Sequence, residues 1–432
     1  MPERAPERAP DRVSLEVERA ALAAELNHWR RAARSLGDLE LVAAPAAWAA
    51  LESYLGLGLR TALHASAARV VAQVAAVSSA LAAAGGPDGL ARVRQGLLTV
   101  RRRYVQAETV VDFYGDAVNT RTNPRLGAVL RGLDALAVDS MERVLRPLSL
   151  DVPPVLTYLD KGLGASILKS GVRLWDSSLS PAAAIKITRH NLWQPTSLLH
   201  EVGHQVSHLT GWSAELGAAL HAVLAPVSAF AADLWRGWAS ELAADVYAFA
   251  LLGYAPVTAL ATVVDGPTRA VFRMPFGDPH PFGWLRVQFN AALCRSWYGP
   301  GPWDGLAAGW AARHRLRDAP PEAAEAARLS LPVLPALADV CTRAPMRAFG
   351  GVPLSALADP RRVAPAELER LAHRAGDSLY TSSYLQRLEP LRILAWTVLR
   401  GTAAGGTGGR DTAGTEIETW LGRLGGAHAT AV

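Results

Sequence analysis

The chain has 432 residues, half of them hydrophobic, with a formal net charge of +5 and a pI near 9.4. This length and apolar share allow a large core divided among two or more packed units, and they exclude a disordered chain. The basic balance is a poor guide to partners. Lys161, Lys169 and Lys186 are the only lysines, and an excess of arginine, alanine, glycine and proline is what codon bias in a GC-rich genome produces, so no nucleic-acid partner is expected.

Residues 1–12, MPERAPERAPDR, repeat PERA and carry no apolar stretch of the kind a secretory signal needs. They are expected to form a disordered tail, and the chain is expected to be cytoplasmic, with export by a non-classical route left open. From 13 to 147 apolar residues recur at three- and four-residue steps, broken at Pro45, Gly85 to Pro87 and Thr120 to Pro124, which predicts an N-terminal helical region. Arg92, Arg94, Arg101, Arg102 and Arg103 mark one of its helices as basic. Such a run is most simply a solvated face, and a partner protein held through this region is the functional reading.

The texture changes at Asp151-Val152-Pro153-Pro154. VLTYLD (155–160), ASILK (165–169), VRLWD (172–176) and AAIKITR (183–189) each read as a short strand, giving a small mixed sheet of three or four strands. The last is expected to lie at an edge beside a cleft, where an extended peptide would pair with it and Lys186 and Thr188 would flank the groove. Pro195 ends that strand region, and Thr196 or Ser197 is placed to cap the next helix. Leu216 to Ala232 is the most apolar long stretch, but His221 and Pro226 interrupt it, so it reads as a buried helix pair and no membrane span is expected. The core domain is assigned to 151–310 and a C-terminal helical region packing on it to 311–400, with an apolar helix near Ser382 to Leu399 that kinks or restarts at Pro390. Residues 401–432 read as a glycine-rich linker and a short terminal helix at 415–425. Cys294 and Cys341 lack metal-type spacing and are expected to be buried and reduced. The fold class expected is α+β, predominantly helical.

Chemistry concentrates in LLHEVGHQVSH. His200 and His204 lie four apart on one helical face, where both imidazoles reach a single metal ion, and Glu201 sits one step round, placed to hold a water. A zinc ion needs a third protein ligand and an open position, and Glu241 in WASELAADVYAF offers that ligand. Asp245, one turn along from Glu241, is placed to receive the second ring nitrogen of His200 or His204. His208 extends the series, but it lies about 12 Å along the helix from His200 and cannot share its ion. A metzincin pattern also fails, since 207 is Ser and 210 is Thr. Tyr247 and Tyr254 read as core, leaving Tyr298 in SWYGPGPW as the one tyrosine worth considering as a transition-state donor.

Taken together, HEVGH, SELAAD and DPHPFGWLR resemble the gluzincin metallopeptidases, whose pattern is H-E-x-x-H followed by E-x-x-x-D. More narrowly they resemble the branch that holds the integral-membrane heat-shock and prenyl-protein peptidases. The resemblance covers roughly 183–286 and implies a zincin-like core. It also implies that His200, His204 and Glu241 are zinc ligands, that Glu201 is general base and acid, and that Asp245 supports the ligands. His280 and Arg286 would then steady the oxyanion and position the substrate. No stretch reads as a transmembrane helix, so the chain is read as a soluble relative of that branch. The expected activity is hydrolysis of peptide bonds in a peptide or protein substrate by Glu-assisted attack of a zinc-activated water. The alternatives are a catalytically idle zinc-binding interaction protein and a delivered, toxin-like effector protease.

Overall fold

The computed structural model describes residues 12–403 and 410–429, apart from 163, 175–177 and 193. Residues 1–11 of the expected tail fall outside these residues, while Arg12 begins the first helix, and 404–409 and 430–432 of the expected C-terminal segment also fall outside. The described chain is predominantly helical with one small mixed sheet.

It divides into two compact units, 1–122 with 171–181, and 123–170 with 182–432. The division comes at Thr122/Asn123, earlier than the boundary expected after 147. The reason is local: Asn123 caps a new helix by accepting from the Leu126 N–H, and Pro124 occupies its first turn.

The first unit contains α1 (Arg12–Leu36), α2 (Pro45–Leu55), α3 (Leu59–Ala83) and α4 (Pro87–Arg121). Leu59, Leu63, Ala67, Val70, Val74, Val77 and Leu81 form a buried stripe along α3, at the spacing that aligns side chains on one helical face. Among the described residues α3 is the one helix long and apolar enough to cross a membrane, a feature the sequence reading did not single out. Its outward residues are mostly alanine, with His64 and Arg69 among them. On α4, Arg92, Arg94, Arg101 and Arg102 are exposed, while Arg103 donates to Gln73 at 2.9 Å. The segment 171–181 closes on this unit through Ser180, whose hydroxyl lies 3.0 Å from that of buried Tyr114.

The second unit begins with α5 (Pro124–Leu145), followed by β1 (Val155–Asp160), β2 (Ser166–Leu168) and β3 (Ala183–Thr188). The strand order is β1-β3-β2, with β3 parallel to β1 and antiparallel to β2. β3 is therefore the central strand and not an edge, which corrects the placement of Lys186 and Thr188 beside a groove. Its near-continuous apolar run, Ala183 to Ile187, suits a strand with neighbours on both sides. Among the described residues the three-residue β2 pairs with β3 and is one edge, and β1 is the other. Of VRLWD, residues 175 and 176 lie outside the described residues, and 172–174 form no strand: the chain turns at Gly171, whose φ is +74°, and Arg173 makes an isolated bridge with Leu179. A buried carboxylate ties the sheet to α5, Asp134 accepting from the Thr157 N–H at 2.7 Å.

Helices follow: α6 (Thr196–Thr210), α7 (Trp212–Leu224), α8 (Ala229–Gly237), α9 (Ala239–Leu252), α10 (Ala255–Val263), α11 (Thr268–Val271), α12 (Gly283–Tyr298) and α13 (Pro302–Arg313). The apolar stretch Leu216 to Ala232 is divided between α7 and α8, as expected of a helix pair. α9 lies at the centre of this unit, with every residue buried except Ser240. α14 (Pro321–Ser330), α15 (Leu334–Arg343), α16 (Leu354–Leu357), α17 (Pro365–Ala375), α18 (Ser383–Leu388), α19 (Pro390–Ala403) and α20 (Arg410–Ala429) complete it. The helix does restart at Pro390. α20 is longer than the short terminal helix expected and is packed on α5: a Cβ added at Gly132 would meet the Leu421 carbonyl oxygen at 2.2 Å, and one at Gly425 the Ala128 carbonyl oxygen at 2.2 Å.

Candidate metal centre

α6 begins at Thr196 itself, and neither Thr196 nor Ser197 caps it. Pro195 is the N-cap residue, and the Ser197 hydroxyl is buried without a hydrogen-bond partner. Gly203, inside HEVGH, decides how close α6 comes to α9: a Cβ there would lie 2.8 Å from Ala244 Cα and 3.1 Å from Tyr247 Cβ. The missing side chain lets the backbone of α9 approach the face that carries both histidines.

That approach brings His200, His204 and Glu241 together, one donor atom from each lying within 4.8 Å of the others. His200 Nε2 is 3.3 Å from Glu241 Oε2, and His204 Nε2 is 3.3 Å from Glu241 Oε1. Charge-assisted N–H···O bonds run shorter, about 2.7–2.9 Å. Two donors each about 2.0–2.1 Å from a tetrahedral zinc ion stand about 3.3 Å apart. Glu241 Oε2 is moreover buried with no hydrogen-bond partner, although His280 Nε2 is 3.2 Å away and Arg286 Nη2 3.6 Å. An orphaned carboxylate oxygen faced by imidazole nitrogens at that spacing fits a cation held among them, and two imidazoles with one carboxylate suit zinc.

The surrounding shell is hydrogen-bonded. Asp245 accepts from His200 Nδ1 (2.9 Å), from Arg286 Nε and Nη2 (2.7 and 2.8 Å) and from Asn290 Nδ2 (3.2 Å). Of the two histidines, the one beside Asp245 is His200. For His204 the neighbour is Ser240, its hydroxyl 3.4 Å from Nδ1. Arg286, expected to reach a substrate, is buried with its Nε and Nη2 engaged on Asp245. His280 is half exposed, and Asp278 receives both its main-chain N–H (3.0 Å) and its Nδ1 (2.7 Å). Asp278 is thus paired with His280 and not with Arg286.

Burial opposes a charge on His200, but the carboxylates of Asp245 and Glu241 outweigh it and push its pKa up to about 9. Burial likewise raises Glu241, yet His200, His204 and His280 hold it far below the usual carboxylate range. Burial would raise Asp245 too, and Arg286 and His200 bring it down. Glu201 is the exception. Burial lifts its pKa, and the nearby histidines offset only part of the rise. A carboxylate of raised basicity is better suited to take up a proton.

His200, Glu201 and Asp245 line a cavity of about 210 Å³. His200, Glu201, Asp245, His280, Arg286 and Asn290 form its polar side, while Ala248, Pro256, Ala259, Leu260 and Val263 form an apolar wall on α9 and α10, and Gly164 and Ala165 approach it from just before β2. His208 is exposed and stands outside the group. Tyr298 is elsewhere: its hydroxyl donates to the Pro360 carbonyl at 2.9 Å and its ring packs on Phe249 and Trp303.

Sequence reasoning did not find Ser240, Asp278, Asn290 or Gly203. Two of these had a local signal, since Asn290 is one turn beyond Arg286 and Asp278 is two residues before His280, the spacing of an aspartate that bonds its own backbone.

No protein-family model matches the chain, and neither a curated protein nor a solved structure does.

Proposed function

We propose that the chain is a zinc-dependent peptidase of gluzincin type with a zincin-like core. The observation that carries this reading is the convergence of His200, His204 and Glu241, with an unpartnered Glu241 oxygen, beside a cavity that His200 and Glu201 line. Zinc held by these three residues would supply Lewis-acid polarisation of a substrate carbonyl and lower the pKa of a water. The chain's own groups do the rest. The apolar wall from Ala248 to Val263 takes up a substrate side chain and excludes bulk water. The free edge of β2 offers main-chain hydrogen bonds to an extended peptide. Glu201, its proton affinity raised by burial, accepts a proton at its carboxylate and returns it to the departing amine nitrogen. His280 has its pKa raised by the Glu241 carboxylate beside it, which favours the imidazolium, and the imidazolium can donate from Nε2 to a developing oxyanion while Nδ1 stays on Asp278. Arg286 and Asn290 hold Asp245, and Asp245 holds His200.

The test is Glu201→Gln. This variant is expected to bind zinc as the natural chain does and to lose hydrolysis by at least about a hundredfold, read as new peptide termini in a mixture of unfolded proteins. Cleavage at the natural rate by that variant would remove Glu201 as the base.

A further inference from the structure

Gln205 directly follows His204 on α6 and is almost fully buried. Its side-chain amide is engaged at both ends by a single residue. Gln205 Oε1 accepts from the Ser170 N–H at 2.8 Å, and Gln205 Nε2 donates to the Ser170 carbonyl at 3.1 Å. Ser170 lies two residues beyond the end of β2, so the amide takes the place of a neighbouring strand at the point where β2 stops. At its other end β2 is preceded by Gly164 and Ala165, which line the same cavity as His200 and Glu201. β2 is three residues long and pairs with β3 alone. So short a strand has few ladder bonds to hold its position, and the two amide bonds from α6 are the tie between this edge and the helix that carries both histidines.

We infer that Gln205 is a positioning residue that sets the height of the β2 edge relative to the candidate metal centre, so that a peptide added along β2 brings its scissile bond to Glu201. The inference rests on the peptidase reading above. Long substrates depend on Gln205 because they use the edge. Substrates too short to reach past Ala165 do not.

The experiment compares the natural chain with Gln205→Met, which keeps the side-chain length and removes both bonds, and with Gln205→Glu, which keeps the acceptor for the Ser170 N–H and loses the donor to its carbonyl. Each zinc-loaded protein is assayed on a series of quenched fluorescent peptides from about three to about ten residues long, and amide hydrogen exchange across 164–170 is followed in parallel. For the longest peptides KM is expected to rise about tenfold in Gln205→Met and by a smaller factor in Gln205→Glu, with kcat within about twofold and the shortest peptides unaffected. Exchange at Ser170 and through β2 is expected to quicken in both variants while α6 stays protected. Equal changes on short and long peptides, a fall in kcat with KM unmoved, or unchanged exchange through β2 would overturn the assignment. If the natural chain cleaves none of the peptides, the peptidase reading fails by itself, and exchange across 164–170 decides whether the amide holds the strand.

Discussion

Asp245 ties together three side chains at the cavity. Its two oxygens receive His200, both forks of Arg286 and Asn290. Asp245→Ala strips the buried Arg286 guanidinium of its bidentate partner and leaves Glu241 3.6 Å away, so a loss of about 3–5 kcal/mol is expected in urea unfolding, whereas Asp245→Leu combined with Arg286→Met is expected to recover most of it. The same single variant frees the His200 ring, and zinc affinity measured by chelator competition should fall about 10- to 100-fold. A pH dependence follows from His200. In the metal-free protein its pKa is raised to about 9, so its charged form contributes stability that is fully present below the unfolded value of about 6.5 and is lost as pH rises through about 9. Zinc must displace that proton. Affinity is therefore expected to rise about tenfold per pH unit from pH 7 towards 9, with about one proton released per ion at pH 7 in a weakly buffered titration. At this scale the sequence was informative where spacing alone places side chains. His200 and His204 at i and i+4 and Asp245 four beyond Glu241 came together as their helical positions require. Ser240 was not legible as a partner, because its meeting with His204 depends on how α6 and α9 converge.

The elements that bring the residues together are α6 and α9, and their separation is set at Gly203. Gly203→Ala places a methyl group 2.8 Å from the backbone of Ala244, which neither helix can relieve by a side-chain rotation. A loss of about 1–3 kcal/mol is expected in thermal or urea unfolding. Zinc affinity should fall with it, since the displaced element carries Glu241. An Ala variant with unchanged stability and unchanged zinc affinity would show that the close approach does not matter. The helices were readable from apolar periodicity and proline punctuation, and the restart at Pro390 fell where expected. The sheet was readable only in part. VLTYLD and AAIKIT have strand composition, but nothing local told the centre of the sheet from its edge, because that distinction depends on which strand pairs across the β2–β3 connection. VRLWD has the composition of a strand, and its described residues, 172–174, follow a left-handed turn at Gly171 and form none.

Across the molecule the two compact units contain their own apolar cores, and the candidate centre lies wholly in the second. α20 belongs to that core: Trp420 and Leu421 are fully buried and Ile417 nearly so. Trp420→Ala is accordingly expected to cost about 3–5 kcal/mol in unfolding, an outcome a dispensable tail would not give. This packing was hidden from sequence reading because the glycine-rich stretch before α20 reads as a linker whether or not the next helix returns to the core. The central claim is that His200, His204 and Glu241 hold one ion, and native mass spectrometry of the zinc-reconstituted, desalted chain tests it directly. The account predicts about one zinc per natural chain and none retained by His204→Ala or Glu241→Ala with the fold intact. A natural chain that holds no zinc, or both variants holding it as firmly as the natural chain, would contradict it.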